Sequence, residues 1–92
     1  EHNAFLDAMI KIVKGHSDLR VKVTGHTDSD GSDSYNDTLS MNRARAITNY
    51  FVKRGLSADR LVIEFKGEHD PVGSNNNPEG KQRNRRVDFK FI

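Results

Sequence analysis

Two side chains of opposite charge, Asp28 and Arg43, stand where a tight loop could bring them together. Asp28 lies just past a predicted strand, and Arg43 lies in the first turns of the helix predicted next. The planar guanidinium of arginine can give two parallel hydrogen bonds to one carboxylate, and an aspartate attracts an ammonium group. The pair could therefore hold a small ligand that carries both charges. It could also be a salt bridge that only ties a loop to a helix.

Apolar periodicity predicts the elements that must position these charges. Residues 3 to 14 carry apolar side chains at the spacing of one helical face, namely Leu6, Met9, Ile10 and Val13. Apolar and polar residues then alternate from Leu19 to Thr24, which predicts a half-buried strand that ends at Gly25. The following segment to Ser34 is rich in Asp, Ser and Gly, so we expect a loop there.

The second half of the chain predicts one helix and two strands. The helix begins between Ser34 and Ser40 and runs to Arg54, with Gly55 as its C-terminal cap. Strands are expected at 61 to 66 and 87 to 91, and residues 67 to 83, broken by glycines, prolines and asparagines, are expected to be irregular. Aromatic residues at regular spacing predict a core that contains Tyr50, Phe51, Phe65, Phe89 and Phe91.

Size and composition limit the class of protein. A chain of 92 residues forms one domain, and we expect 1 to 92 to be that single domain. The net charge of +2 does not require a polyanionic partner, and the absence of cysteine excludes disulfides and thiolate metal sites. Apolar runs of two or three residues are far shorter than the roughly 20 that cross a bilayer. Because the chain opens on Glu1, we expect a piece of a larger or processed protein.

An ordered set of short motifs resembles the peptidoglycan-associating motif of OmpA-like domains. The set is Gly25-His26-Thr27-Asp28, then Gly31, Tyr35-Asn36, Leu39-Ser40 and Arg43-Ala44. Gly67, Pro71, an asparagine-rich loop and Asn84-Arg85-Arg86-Val87 then follow in the order of the same family. Each motif alone is weak, but the set at matching separations is specific, and the likeness spans residues from about 19 to 92.

The resemblance implies an α+β fold of the βαβαββ type, a two-layer sandwich with helices on one face of a small mixed sheet. The family's first strand precedes its first helix, so we expect that strand to be absent here. Members include OmpA, the peptidoglycan-associated lipoprotein and MotB. Their likeness implies a periplasmic domain of a Gram-negative envelope protein that binds peptidoglycan without cleaving it and anchors the outer membrane, or a machine in it, to the cell wall.

The resemblance also implies which residues bind. The ligand would be the diaminopimelate residue of the stem peptide, whose free end carries an ammonium and a carboxylate. Asp28 would take the ammonium and Arg43 the carboxylate, helped by exposed N–H groups of the helix N-terminus near Leu39 and Ser40. Thr27 and Asn36 would hydrogen-bond the same group. Arg85 would approach from the last strand, with Arg86 as the alternative because neighbouring strand residues point to opposite faces. No cofactor, metal or nucleic acid is implied, and we expect no membrane insertion of this segment.

Other functions are weighed against this one. Asp28, Asp30 and Asp33 invite a calcium site, but the glycine and the twelfth position do not fit an EF-hand. A hydrolase would need an activated serine, and no nucleophile elbow is present. An RNA-binding sheet would need exposed aromatics, whereas Phe89 and Phe91 are predicted to be buried. An envelope interaction module with a lost wall site is the remaining alternative, and His26 is expected to serve structure through hydrogen bonds.

Overall fold

The computed structural model describes residues 2–92 and contains three α-helices and three β-strands. In chain order they are α1 (His2–Lys14), β1 (Val21–Gly25), α2 (Asp33–Lys53), β2 (Leu61–Phe65), α3 (Pro78–Asn84) and β3 (Val87–Phe91). A 3-10 turn at Ala58–Arg60 leads into β2. The predicted α+β class with a small mixed sheet is confirmed.

The central strand of the sheet is β1, which pairs with both other strands. It runs parallel to β2 and antiparallel to β3. The parallel pair needs a crossover connection, and α2 supplies it. Gly25, the last residue of β1, is paired with Phe65 at the end of β2 and with Val87 at the start of β3. The segments that follow β1, follow β2 and precede β3 therefore meet at one edge of the sheet.

One apolar core lies between the sheet and the helices. Val21 and Val23 point from β1 to the same side and are completely buried. They share the core with the predicted apolar face of α1 and with Ala44 and Phe51 of α2. Both long helices thus cover one face of the sheet, as predicted. Thr24, on the opposite side of β1, hydrogen-bonds Glu64 across the sheet at 3.0 Å.

The long helix α2 begins earlier than predicted. Ser32 is its N-cap, and the side-chain oxygen accepts the N–H of Tyr35, so the helix starts at Asp33 rather than between Ser34 and Ser40. The C-terminal prediction is confirmed: Gly55 has φ +95°, and Leu56 N–H donates to the carbonyl of Phe51. This geometry closes the helix, because an αL residue just past the last turn satisfies the free carbonyls.

Helix α3 corrects the prediction that residues 67 to 83 are irregular. Asn77 caps it through a hydrogen bond from Gly80 N–H at 2.6 Å, and Pro78 occupies its first turn. This asparagine followed by proline is a helix-start signal. The helix spans only seven residues and has no apolar face, so periodicity did not reveal it.

The aromatic core was predicted only in part. Phe51 is buried, and Tyr50 and Phe89 are partly buried against the core. Phe65 and Phe91 are 40% and 41% exposed, so their predicted burial is wrong. Phe65 is the last residue of β2 and Phe91 is the last residue of β3, and these are the two outer strands of the sheet. Alternation shows which face of a strand a side chain joins, but not whether a helix covers that part of the face.

None of the helices within residues 2–92 combines the length and the apolar character that a membrane-spanning segment requires.

Candidate functional site

Asp28 lies in the loop that leaves the end of β1, and its carboxylate is almost fully buried. One oxygen, Oδ1, accepts the backbone N–H of Asp30 at 3.0 Å, which folds the loop back on itself. The other oxygen, Oδ2, accepts Nη1 of Arg85 at 2.5 Å. A buried carboxylate is thus held in place by one local and one distant donor.

These donors also determine the charge of Asp28. Burial on its own raises the pKa of the carboxyl, but the hydrogen bonds from Asp30 N–H and Arg85 and the nearby positive charges outweigh it. The net effect is a lowered pKa. Asp28 is therefore a carboxylate at neutral pH and is suited to bind a cation.

Arg43 lies near the middle of α2, so its predicted place in the first turns of that helix is wrong. Its Nη1 donates to the carbonyl of His26 at 2.8 Å, two residues before Asp28 in the same loop. The structure therefore brings Arg43 to the Asp28 loop without pairing the two charges. The ion partner of Asp28 is Arg85 instead.

A groove between α2 and β3 joins the two arginines. Its volume is about 430 Å³, and Arg43, Arg85 and Arg86 line it together with an apolar floor of Ala46, Ile47, Val87 and Phe89. The Asp28 carboxylate is paired with Arg85, and Arg85 lines this groove. A buried negative charge thus lies next to a groove with positively charged walls. Such an arrangement can accept a small ligand with a carboxylate, a nearby ammonium and an aliphatic stem.

Arg86 differs from Arg85 in its partners. Its Nε donates to both carboxylate oxygens of Asp88, at 3.1 and 3.2 Å, and its Nη2 donates to the carbonyl of Asp70 at 3.0 Å. Of the two neighbouring arginines, Arg85 is therefore the one that contacts Asp28.

Thr27 and Asn36 are placed around the same loop. Thr27 is buried, its N–H donates to the carbonyl of Gly67, and its hydroxyl donates to the carbonyl of Asp28 at 2.9 Å. Asn36 is also buried, and its amide donates to Glu68 at 3.0 Å. Its Oδ1 accepts no hydrogen bond from any of residues 2–92. Thr27 thus fixes the backbone of the Asp28 loop, and Asn36 links α2 to the segment that follows β2.

Leu39 and Ser40 lie inside α2, so the prediction that their N–H groups form an exposed helix N-terminus is wrong. The reason is the early start of α2 at Asp33. Leu39 is half-buried, and the hydroxyl of Ser40 accepts the N–H of Gly67 at 3.0 Å. A Cβ built on Gly25 would lie 1.9 Å from the carbonyl oxygen of Ser40, so the end of β1 packs directly on the helix backbone. Gly25 permits this close contact because glycine has no Cβ.

His26 connects the loop to β3. Its N–H donates to the carbonyl of Arg86 at 2.8 Å, and its own carbonyl accepts Arg43. The side chain is 2% exposed, and Nε2 lies 3.1 Å from a carboxylate oxygen of Asp88 without the alignment of a hydrogen bond. Burial, and next the positive charge of Arg86, lower the pKa of His26 against the opposing effect of Asp88. The histidine is thus neutral at pH 7.

Helix α3 adds contacts that sequence reasoning missed. Lys81 pairs with Asp30 at 3.1 Å, and Gln82 accepts Nη2 of Arg85 at 2.6 Å. Asn84 is fully buried and bonds the backbone of Val72 and Gly73. The cap signal at Asn77-Pro78 could have predicted the helix, but no sequence signal gives these distant pairings. Across residues 2–92 no three His, Asp or Glu side chains cluster as metal ligands.

Comparisons with known proteins agree with this architecture. The sequence profile of the OmpA family matches residues 1–85. Photosystem I P700 chlorophyll a apoprotein A2 of Gloeobacter violaceus is 39% identical over 90 residues, which cover 91% of this chain and 10% of that protein. Peptidoglycan-binding protein ArfA of Mycobacterium tuberculosis is 40% identical over 77 residues, which cover 84% of this chain and 24% of that protein. The chain thus spans a quarter or less of the length of these two relatives.

Among solved structures, the peptidoglycan-associated lipoprotein from Burkholderia pseudomallei superposes with a TM-score of 0.93 at 25% identity. The match covers 97% of this chain and 75% of that one. The fold and its connectivity are therefore shared almost throughout.

Proposed function

Because the chain belongs to the OmpA family, we propose that it binds bacterial peptidoglycan without cleaving it. Two similar proteins, a peptidoglycan-binding protein and a peptidoglycan-associated lipoprotein, support this ligand. The observation that carries the proposal is a groove lined by Arg43 and Arg85, with the Asp28 carboxylate paired to Arg85 beside it. The protein would act as an anchor, in the periplasm, for an outer-membrane or other envelope protein.

The part of peptidoglycan that fits best is diaminopimelate in the stem peptide. The free end of this residue carries an ammonium and a carboxylate on one carbon, next to a short aliphatic chain. Asp28 matches the ammonium, and Arg43 matches the carboxylate. Nη1 is the only guanidinium nitrogen of Arg43 that has a hydrogen-bond partner within residues 2–92. The remaining N–H groups of this guanidinium can therefore bind a carboxylate. The apolar floor of the groove would contact the aliphatic chain.

The other predicted ligand residues have distinct proposed roles. Arg85 would contact the ligand from the wall of the groove, while Thr27 and Asn36 would hydrogen-bond the ligand from the buried side of the Asp28 loop. The unpaired Oδ1 of Asn36 is the acceptor that remains there. Leu39 would contribute packing from α2, because its backbone N–H lies inside the helix.

Nuclear magnetic resonance titration with a soluble diaminopimelate muropeptide tests the proposal. We expect chemical-shift changes at residues 26–43 and at Arg85, and a binding loss of about 2–5 kcal/mol in Asp28→Ala and in Arg43→Ala. Arg45→Ala, which removes an exposed arginine one half-turn away on α2, is the matched control and should bind as the wild type does.

Folding of each variant is checked from its amide spectrum. A folded wild type that shows no shift at millimolar muropeptide would contradict wall binding and would favour an interaction module with a lost site. Binding that survives in folded Asp28→Ala and Arg43→Ala would contradict the assignment of the two charges.

A further inference from the structure

In the free protein, Arg85 is already paired with Asp28, the carboxylate that the ligand ammonium would bind. Both oxygens of Asp28 have protein donors, Asp30 N–H on Oδ1 and Arg85 on Oδ2. The carboxylate side chain is only 9% exposed, so it has little surface for an additional cation. A ligand ammonium can reach it by replacing Arg85.

Arg85 is the partner that can move. Its side chain is 36% exposed, whereas Asp28 is fixed by burial and by the loop. The second contact of Arg85, with Gln82, is exposed to solvent and lies on the adjoining turn of α3. Hydrogen bonds between exposed side chains are weak against competition from water, so they do not lock the guanidinium in place.

The groove provides a second position for the freed guanidinium. Arg85 lines the same groove as Arg43, where the ligand carboxylate would bind. Two guanidiniums can share one carboxylate, because each oxygen accepts more than one hydrogen bond.

We infer that Arg85 is a specificity-determining residue that exchanges partners when ligand binds, an inference that rests on the proposed function. The ligand ammonium replaces Arg85 on Asp28, and the freed Arg85 joins Arg43 on the ligand carboxylate. No covalent bond changes, and the charges balance before and after the exchange.

The exchange makes the site selective for a ligand that carries both charges. A stem peptide with lysine in place of diaminopimelate has the ammonium but lacks the neighbouring carboxylate. Its ammonium would displace Arg85 from Asp28 and leave the guanidinium without an anion. Arg85 therefore penalises the lysine peptide while it favours the diaminopimelate peptide.

The experiment measures the affinities of two tripeptide stems that differ only in diaminopimelate or lysine. Wild type, Arg85→Ala and Arg85→Gln are compared, with Arg83→Ala as the control. Arg83 is an exposed arginine of α3 that forms no ion pair with any residue from 2 to 92. We expect Arg85→Ala to weaken the diaminopimelate stem and to strengthen the lysine stem, so that their affinity ratio falls roughly tenfold or more. Arg85→Gln should do the same, and Arg83→Ala should leave the ratio unchanged.

The two hypotheses fail in different ways. A folded wild type that binds neither stem overturns the proposed function and the exchange with it. A wild type that prefers diaminopimelate, combined with Arg85 variants that lose affinity equally for both stems, overturns the exchange alone. Should both variants misfold, the side-chain Nε resonance of Arg85 in the wild type decides: it shifts on binding if the guanidinium changes partner, and a resonance that stays constant at saturation overturns the inference.

Discussion

The charge pattern around Asp28 could be predicted from sequence only in part. Asp28, Arg43 and Arg85 were selected from the motifs, and the structure places all three around one loop and groove. The ion pair of Asp28 with Arg85 joins positions 57 residues apart, and no local pattern encodes it. Sequence reasoning therefore selected the residues but did not predict the ion pair between Asp28 and Arg85.

His26 predicts how stability depends on pH. Its folded pKa is lowered by burial and by Arg86, so the unfolded chain takes up a proton more readily than the folded one. The free energy of unfolding should be fully retained above the ordinary histidine pKa of about 6.5 and should fall as the pH drops from there toward the lowered value. Urea unfolding between pH 8 and pH 5 measures this dependence.

His26→Gln removes the titrating group and should flatten that part of the pH profile. His16→Gln, at an exposed histidine just after α1, is the control substitution. An identical pH profile for wild type and folded His26→Gln would show that another group causes the dependence.

At the level of elements, apolar periodicity predicted five of the six helices and strands. Those five carry apolar side chains at a regular spacing, which the sequence displays directly. Helix α3 was missed because polar contacts, and not an apolar face, attach it to the rest of the molecule. Asn84 is the centre of these contacts: its Oδ1 accepts the N–H groups of Val72 and Gly73, and its Nδ2 donates to Gly73 and Asn75.

Asn84→Ala should destabilise the protein by about 3 kcal/mol, because it leaves several partly buried polar groups without a partner, and a lost partner costs up to about 1–3 kcal/mol for each group. The effect should extend to the loop that contains Asp28, because Asn75, which accepts a hydrogen bond from Asn84, also accepts the N–H of Ser29. Chemical denaturation measures the loss, and Arg83→Ala on the same helix should change stability by less than about 0.5 kcal/mol. Equal stability of Asn84→Ala and wild type would mean that water replaces the network.

In the whole molecule, the central strand should be the most stable part. β1 is paired on both sides, and Val21 and Val23 have no exposed surface. Their amides should exchange with solvent only when the entire domain unfolds, whereas amides of α3 should exchange through local opening. Hydrogen exchange at increasing urea distinguishes the two: the β1 rates should follow the global unfolding curve, and a flat response of β1 would disprove the assignment.

The pairing of β1 with the last strand also affects when the binding site can form. The chain is synthesised from its amino end, so the Asp28 loop emerges long before its counterion Arg85 and before β3, which ends at Phe91. Contacts between such distant positions form late, because much of the chain must be ordered first. A nascent or truncated chain contains the motif but not the assembled groove. A ligand can therefore bind at this groove only after β3 has been synthesised and has paired with β1.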